Sequence, residues 1–147
     1  MPKVIFEKIL KADRNNVFEL ATHYENLHKI LPHYYSSIRK ISVRGNVSIV
    51  EEHLRIGGRE LVMMAKHIIE QPLSHEIFII GGDAKGTHIT NRYEQLMSGT
   101  KLILEVDWKL KGLMRLSGFF GKNIAEEYSK ITDEFIMPTN IIFEGKP

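Results

Sequence analysis

The fold is decided at residues 101–110, which read KLILEVDWKL. The apolar side chains of every second residue share one face of an extended chain: Leu102, Leu104, Val106, Trp108 and Leu110. Alternation with a period of two is typical of a β-strand with one buried face, because successive side chains point to opposite sides of a sheet. This stretch therefore predicts a sheet that is covered on one side and faces water on the other.

After this strand the pattern changes to that of an amphipathic helix. Between residues 113 and 136, apolar side chains recur at steps of three or four and form one stripe: Leu113, Leu116, Phe120, Ile124, Tyr128, Ile131 and Phe135. A helix of this length is about 35 Å long, and Pro138 is expected to end it. Such a helix is long enough to cover the apolar face of the sheet.

Before residue 101, turn residues divide the chain into short elements. Residues 3–11 read as a strand, and Asp13 is the expected N-cap of a short helix that follows it. A second short helix is predicted over residues 25–31 and ends before Pro32. Stretches with strand-like alternation or β-branched residues follow, separated by turns, at 39–44, 47–56, 60–70, 75–80 and 87–97.

The predicted fold class is therefore α+β. Its sheet is curved and antiparallel, has about seven strands and wraps around the long C-terminal helix, with two short helices after the first strand. At 147 residues, the chain has the usual size of one domain, and we expect a single domain over residues 1–147.

Composition limits the classes of function. The chain has no cysteine, which excludes a disulfide framework, a thiolate zinc site and a cysteine nucleophile. The formal net charge is only +2 and the charges are scattered, so no nucleic-acid partner is predicted. No apolar run is long enough to span a bilayer and the N-terminus lacks a signal-like segment, so we expect a cytoplasmic protein without stable membrane insertion.

Residues 6–35 carry a resemblance to a known group of proteins. A strand and a short break precede NVFELA at 16–21 and YENLHKILP at 24–32, and this arrangement resembles the N-terminal part of START-like helix-grip proteins, the SRPBCC superfamily. The run from Asn26 to Pro32 is most similar to the polyketide cyclase/dehydrase and coenzyme Q-binding branch. That family often has a proline before the first helix, and here the cap at Asp13 can take its place.

The resemblance covers nearly the whole chain and implies the helix-grip fold. It also implies a ligand-binding domain, although members of the group include lipid carriers, cyclases, dehydratases and proteins that only contact other proteins. Because function depends on a site rather than on a fold, the resemblance leaves the chemistry open.

A straight helix and a curved sheet cannot touch everywhere, so an apolar cavity is expected between them. Ligand pockets of this kind have volumes of about 300–1,000 Å³. The residues predicted to line the cavity and bind the ligand are Met63, His67, Phe78, Tyr93, Leu104, Val106, Trp108, Phe120, Ile124 and Tyr128. The alternative is a filled core, because apolar periodicity does not distinguish a packed core from a lined cavity.

His67 is the candidate for acid–base chemistry. It shares strand parity with Leu61 and Met63 and is therefore expected to point inward. An imidazole that faces an apolar cavity could orient a carbonyl or hydroxyl group, or act as a base near neutral pH. The alternative is a structural histidine that is hydrogen-bonded to a neighbour. No metal-ligand spacing such as HxxxH occurs, and no metal or cofactor is predicted.

Three functions remain open at this point. The leading hypothesis is the binding or transport of an apolar small molecule, such as a lipid, a quinone or a polyketide-like compound. The second is an enzyme of the polyketide cyclase/dehydratase type, and the third is a protein-interaction module with a filled core; a homo-oligomer or a protein partner is also left open. A cavity without a polar cluster favours the first, two or more inward-facing ionisable groups favour the second, and a filled core favours the third.

Overall fold

The fold is taken from a computed structural model, which describes residues 3–56, 58–109 and 121–144, with side chains in the last segment for residues 124–135. Seven strands and three helices occur in these residues. In chain order they are β1 (Val4–Leu10), α1 (Arg14–Thr22), α2 (Tyr24–Ile30), β2 (Tyr35–Arg44), β3 (Val47–Ile56), β4 (Arg59–Glu70), β5 (Ser74–Gly82), β6 (His88–Leu96), β7 (Gly99–Asp107) and α3 (Gly121–Glu144).

The seven strands form one antiparallel sheet in the order β1-β7-β6-β5-β4-β3-β2. Strands β2 to β7 form a meander in which each strand pairs with the next, whereas β1 pairs with β7 and places Val4 opposite Val106. Strands β1 and β2 therefore lie at opposite edges of the sheet, although they are neighbours among the strands of the sequence. Helices α1 and α2 make the connection between these edges.

Helix α1 begins where the sequence predicts it. The Asp13 carboxylate accepts a hydrogen bond from the backbone N–H of Asn16 at 3.0 Å, so one of the free amides of the first turn is satisfied. Val17 and Phe18 are buried on the inner side of this helix. Helix α2 ends at Ile30, just before the Leu31–Pro32 step that disfavours helix.

Helix α3 packs on the inner face of the sheet and contacts β1, β7 and β3 as well as α1. Its residues Ile124 and Ile131 are buried, as the apolar stripe predicts. At the exposed margin, the Lys8 ammonium on β1 donates to the Asp133 carboxylate on α3 at 2.7 Å. The helix-grip architecture expected from the sequence is thus confirmed. No helix in the described residues is long and apolar enough to cross a membrane.

The main differences from the expected boundaries are at the last helix, at β2 and at β7, which ends at Asp107, before Trp108. The prediction that Pro138 ends the last helix is wrong, because the backbone is helical through to Glu144. A proline removes one N–H donor and crowds the preceding turn, but helices that continue through proline are a known exception. Strand β2 starts at Tyr35 rather than at residue 39, because the ladder with β3 already begins there and pairs Tyr35 with Leu54. The predicted helix start at residue 113 lies outside the described residues.

The packing of α3 on the sheet leads to a stability prediction. We expect Ile124→Ala to lower the free energy of unfolding by about 2–5 kcal/mol, because the lost methylene groups leave a cavity in the core. The matched change Ile9→Ala on the outer face of β1, where the side chain is 59% exposed, should cost less than about 1 kcal/mol. Urea unfolding at constant slope measures both values, and equal losses would contradict burial of the helix stripe.

Candidate functional site

A cavity of about 70 Å³ lies between the inner face of the sheet and the helices. Its apolar walls include Leu27 of α2, Leu102 of β7, and Ile131 and Phe135 of α3. This volume would hold roughly five water molecules and is well below the expected range of about 300–1,000 Å³. Among the described residues, the cavity is therefore present but smaller than predicted.

The residues predicted to line the cavity separate into several groups. His67, Tyr93 and Tyr128 do line it. Others are buried in the core around it and are not part of its walls: Met63, Leu104, Val106, Trp108 and Ile124. Phe120 lies outside the described residues.

The placement of Phe78 in the cavity wall is wrong. On β5 the buried positions are His75, Ile77 and Ile79, so the alternation turns Phe78 to the outer face of the sheet. There its ring stacks on the His88 ring, with centroids 4.3 Å apart. Aromatic character suggested an inward position, but strand parity decides the face.

Three ionisable side chains form a row on the inner face of three neighbouring strands: Glu52 of β3, His67 of β4 and His75 of β5. The Glu52 Oε2 atom lies 2.5 Å from His67 Nε2, and His67 Nδ1 lies 2.6 Å from His75 Nε2. Their exposed fractions are only 6%, 2% and 4%. A carboxylate can only accept, so His67 Nε2 donates to Glu52, whereas the hydrogen between the two rings can belong to either ring.

The strand register explains how the row forms. In the β3–β4 ladder, Glu52 stands opposite Met63, and His67 stands opposite Ser48. Glu52 and His67 are therefore not cross-strand partners, and their side chains reach along the strands to meet. A buried carboxylate needs a hydrogen-bonded partner, and among the described residues His67 provides it.

Burial and the neighbouring His67 hold the pKa of His75 well below its usual value, so its ring is neutral at pH 7. Only the Nε2 atom of His75 is engaged by His67, and the ring is part of the cavity wall.

The Tyr24 side chain, on α2, lies over the row of Glu52, His67 and His75, and its ring centroid is 4.4 Å from that of His67. Burial raises the pKa of Tyr24, whose hydroxyl has no hydrogen-bond partner of good geometry among the described residues, although the Ser48 hydroxyl is near.

Three further tyrosines line the cavity: Tyr35, Tyr93 and Tyr128. Burial is the main cause that raises the pKa of each hydroxyl, so all of them stay protonated at neutral pH and are able to donate. The Tyr35 hydroxyl is hydrogen-bonded to that of Tyr128, which raises the pKa of Tyr35 and opposes the rise at Tyr128. Either hydroxyl can be the donor of this pair, because a protonated hydroxyl both donates and accepts.

Sequence reasoning identified His67 but missed Glu52 and His75. A signal for both was available, because Glu52 shares parity with the apolar Val50 and Leu54, and His75 shares parity with Ile77. Although carboxylate and imidazole are metal-ligand types, no group of three or more such side chains in the described part of the chain is arranged to hold a metal ion.

Solved structures share this fold at low sequence identity. A protein of Thermus thermophilus superposes with a TM-score of 0.81 at 17% identity, over 97% of this chain and 99% of that one. The ginseng major latex-like protein 151 of Panax ginseng gives 0.77 at 13% identity, over 94% and 97%. The Zhui aromatase/cyclase of a Streptomyces species gives 0.71 at 10% identity, over 95% and 91%.

These similarities agree with the fold implied by the START-like resemblance, and at such identities they establish the fold alone. No protein-family model matches the sequence. A search of curated proteins also gave no significant match. The chemistry of this chain therefore has to be argued from its own cavity.

The neutral state of His75 predicts a pH dependence of stability. An unfolded chain binds a proton at histidine below about pH 6.5, whereas the folded protein keeps His75 neutral. The free energy of unfolding should therefore fall as the pH drops below 6.5, by up to about 1.4 kcal/mol per pH unit for this group.

Urea unfolding at pH 7.5 and 5.5 measures this loss. His75→Gln should make it smaller, whereas His88→Gln, on the outer face, serves as the matched control and should not. An equal loss in the His75 variant and the wild type would show that His75 is not held neutral by the fold.

Proposed function

We propose that the protein binds a small, neutral and largely apolar molecule that carries at least one oxygen group. The observation that carries this proposal is the cavity, which combines apolar walls with a row of polar groups on one side. Pockets for small molecules typically join an apolar lining to a few polar groups that fix the orientation of the ligand.

The charge of the cavity wall supports a neutral ligand. No lysine or arginine is among the described residues that line it, and the Glu52 carboxylate is already hydrogen-bonded to His67. A carboxylate or phosphate group would therefore enter without a cationic partner, which is costly in an apolar site. Hydroxyl and carbonyl groups can instead bond to the tyrosine hydroxyls or to His75.

The volume restricts the size of the ligand. An engineered apolar cavity of about 150 Å³ binds benzene, so a cavity of about 70 Å³ must widen even for one ring. A lipid, quinone or polyketide-like compound requires still more widening. Side-chain movement at Ile131 and Phe135, on the helix wall, is the simplest source of that space.

The second candidate function is acid–base catalysis of the cyclase/dehydratase type. The specific observation in its favour is the inward-facing row of Glu52, His67 and His75, because two or more such groups distinguish a catalytic site from a simple carrier. One protein of similar fold is an aromatase/cyclase by name. The cavity argues against the third hypothesis, a protein-interaction module with a filled core.

Two probes of similar size and different charge test the proposal. Phenol should bind in a saturable way, and benzoate should not, because only phenol can enter without burying a net charge. Ile131→Ala should raise the affinity for phenol by about tenfold, or ~1.4 kcal/mol, since the ligand no longer has to make the space. Titration followed by NMR measures both.

Ile89→Ala is the control, because Ile89 is buried on β6 and is not among the residues that line the cavity. It should leave the affinity for phenol unchanged. Equal binding of benzoate and phenol, or no binding of phenol to either the wild type or Ile131→Ala, would refute the proposal.

A further inference from the structure

We infer that His75, connected through His67 to Glu52, is a general base that removes a proton from a neutral carbonyl ligand in the cavity. The inference rests on the proposed function, since it assumes that the ligand occupies this cavity. It adds a substrate class, namely carbonyl compounds with an acidic hydrogen on the adjacent carbon, and a role for each residue of the row.

The geometry provides a base with a free nitrogen. His67 engages only Nε2 of the His75 ring, and among the described residues no side chain hydrogen-bonds Nδ1. The ring is part of the cavity wall, and Nδ1, the nitrogen that His67 does not engage, is the atom that the inference assigns to the ligand. In the proposed resting state both rings are neutral. Because His67 Nε2–H donates to Glu52, the hydrogen between the rings is then on His75 Nε2 and is donated to His67 Nδ1.

The proton then moves along the row in two linked transfers. The proton on the carbon next to the carbonyl passes to His75 Nδ1, and its electron pair stays on the substrate as an enolate. At the same time the Nε2 proton of His75 passes to His67 Nδ1. His67 becomes an imidazolium next to the Glu52 carboxylate, and His75 ends neutral with its proton on Nδ1.

This arrangement overcomes the weakness of a buried base. A positive charge on His75 alone would be unfavourable in its apolar surroundings, whereas the row places that charge on His67, which is hydrogen-bonded to the Glu52 carboxylate. The other titratable groups that face the row are tyrosines of α2, β2, β6 and α3, all of which stay protonated: Tyr24, Tyr35, Tyr93 and Tyr128. Beyond the Tyr24 ring, the Lys40 ammonium lies 5.8 Å from its centroid.

Tyr128 completes the site as a donor. Tyr128 lines the cavity and burial raises the pKa of its hydroxyl, so the protonated hydroxyl can donate its hydrogen to the oxygen on which the enolate charge develops. A hydroxyl group on the next carbon could then leave, taking the stored proton back through His75, with water and an unsaturated carbonyl compound as products. Dehydration of this kind requires no oxidant, reductant or further reactant.

The test uses a probe that reports proton removal without knowledge of the natural substrate. In 5-nitrobenzisoxazole, which is neutral and aromatic, a base takes the ring C–H proton, the N–O bond breaks, and the coloured 2-cyano-4-nitrophenolate forms. We expect saturable turnover by the wild type, and a loss of about 100-fold in His75→Gln. His88→Gln alters a histidine of the outer face that is also hydrogen-bonded to a glutamate, Glu76, and should keep the full rate.

Glu52→Gln separates a relay from a purely structural contact. Without the carboxylate, positive charge in the row is less favourable, so the pH of half-maximal rate should move to lower values and the maximal rate should fall. A contact that only holds His67 in place would lower the rate without moving that pH. Binding of the probe, measured on the same samples, shows that each variant keeps its cavity, and His75→Asn replaces His75→Gln if that variant does not fold.

The outcomes distinguish this inference from the proposed function. Saturable probe binding with equal rates in the wild type and in the His75 variant would overturn the base and leave the binding site standing. No saturable binding of the probe, either to the wild type or to Ile131→Ala with its wider cavity, would overturn both.

Discussion

The hydrogen bond between Glu52 and His67 is the interaction on which the inner face of the sheet depends. Both side chains are almost fully buried, and the atoms Oε2 and Nε2 lie 2.5 Å apart. Removing His67 would leave the buried Glu52 carboxylate without its donor, which costs at least roughly 1–3 kcal/mol. A chain that only needed a stable core would be served as well by apolar residues at these positions, so the row is better explained by what it does in the cavity.

The helix-grip architecture gives this row its surroundings. The antiparallel sheet brings three neighbouring strands together and so aligns Glu52, His67 and His75, while α3 brings Tyr128 and the apolar side chains of Ile131 and others to the opposite wall. Apolar walls strengthen each hydrogen bond and shift the pKa values of buried groups. Because one fold serves carriers and enzymes alike, the distinction between them lies in these few inward-facing groups.

The sequence predicts the elements well, because each has a local cause. Alternation indicates strand β7 (Gly99–Asp107), and the carboxylate of Asp13 starts α1. Strand parity also predicts that His67 points inward. It does not show that the Glu52 side chain reaches His67 along the strand, because Glu52 lies four residues after Ser48, the cross-strand partner of His67. Phe78 shows the opposite error. Its aromatic character suggested the inner face, whereas its strand parity places it on the outer face. The cavity volume depends on side-chain packing across the whole core, which no local pattern encodes.

The hydrogen bond between His67 and His75 at the cavity wall, with Glu52 behind them, is the centre of the proposed site. A scalar coupling between ring nitrogens across that bond, measured by NMR on ¹⁵N-labelled protein at neutral pH, tests it most directly. We expect a coupling between His67 Nδ1 and His75 Nε2, whose distance is 2.6 Å, and a His75 ring that stays neutral as the pH is lowered to 5.5. Two uncoupled rings, with His75 gaining its proton as a free imidazole does near pH 6.5, would contradict it.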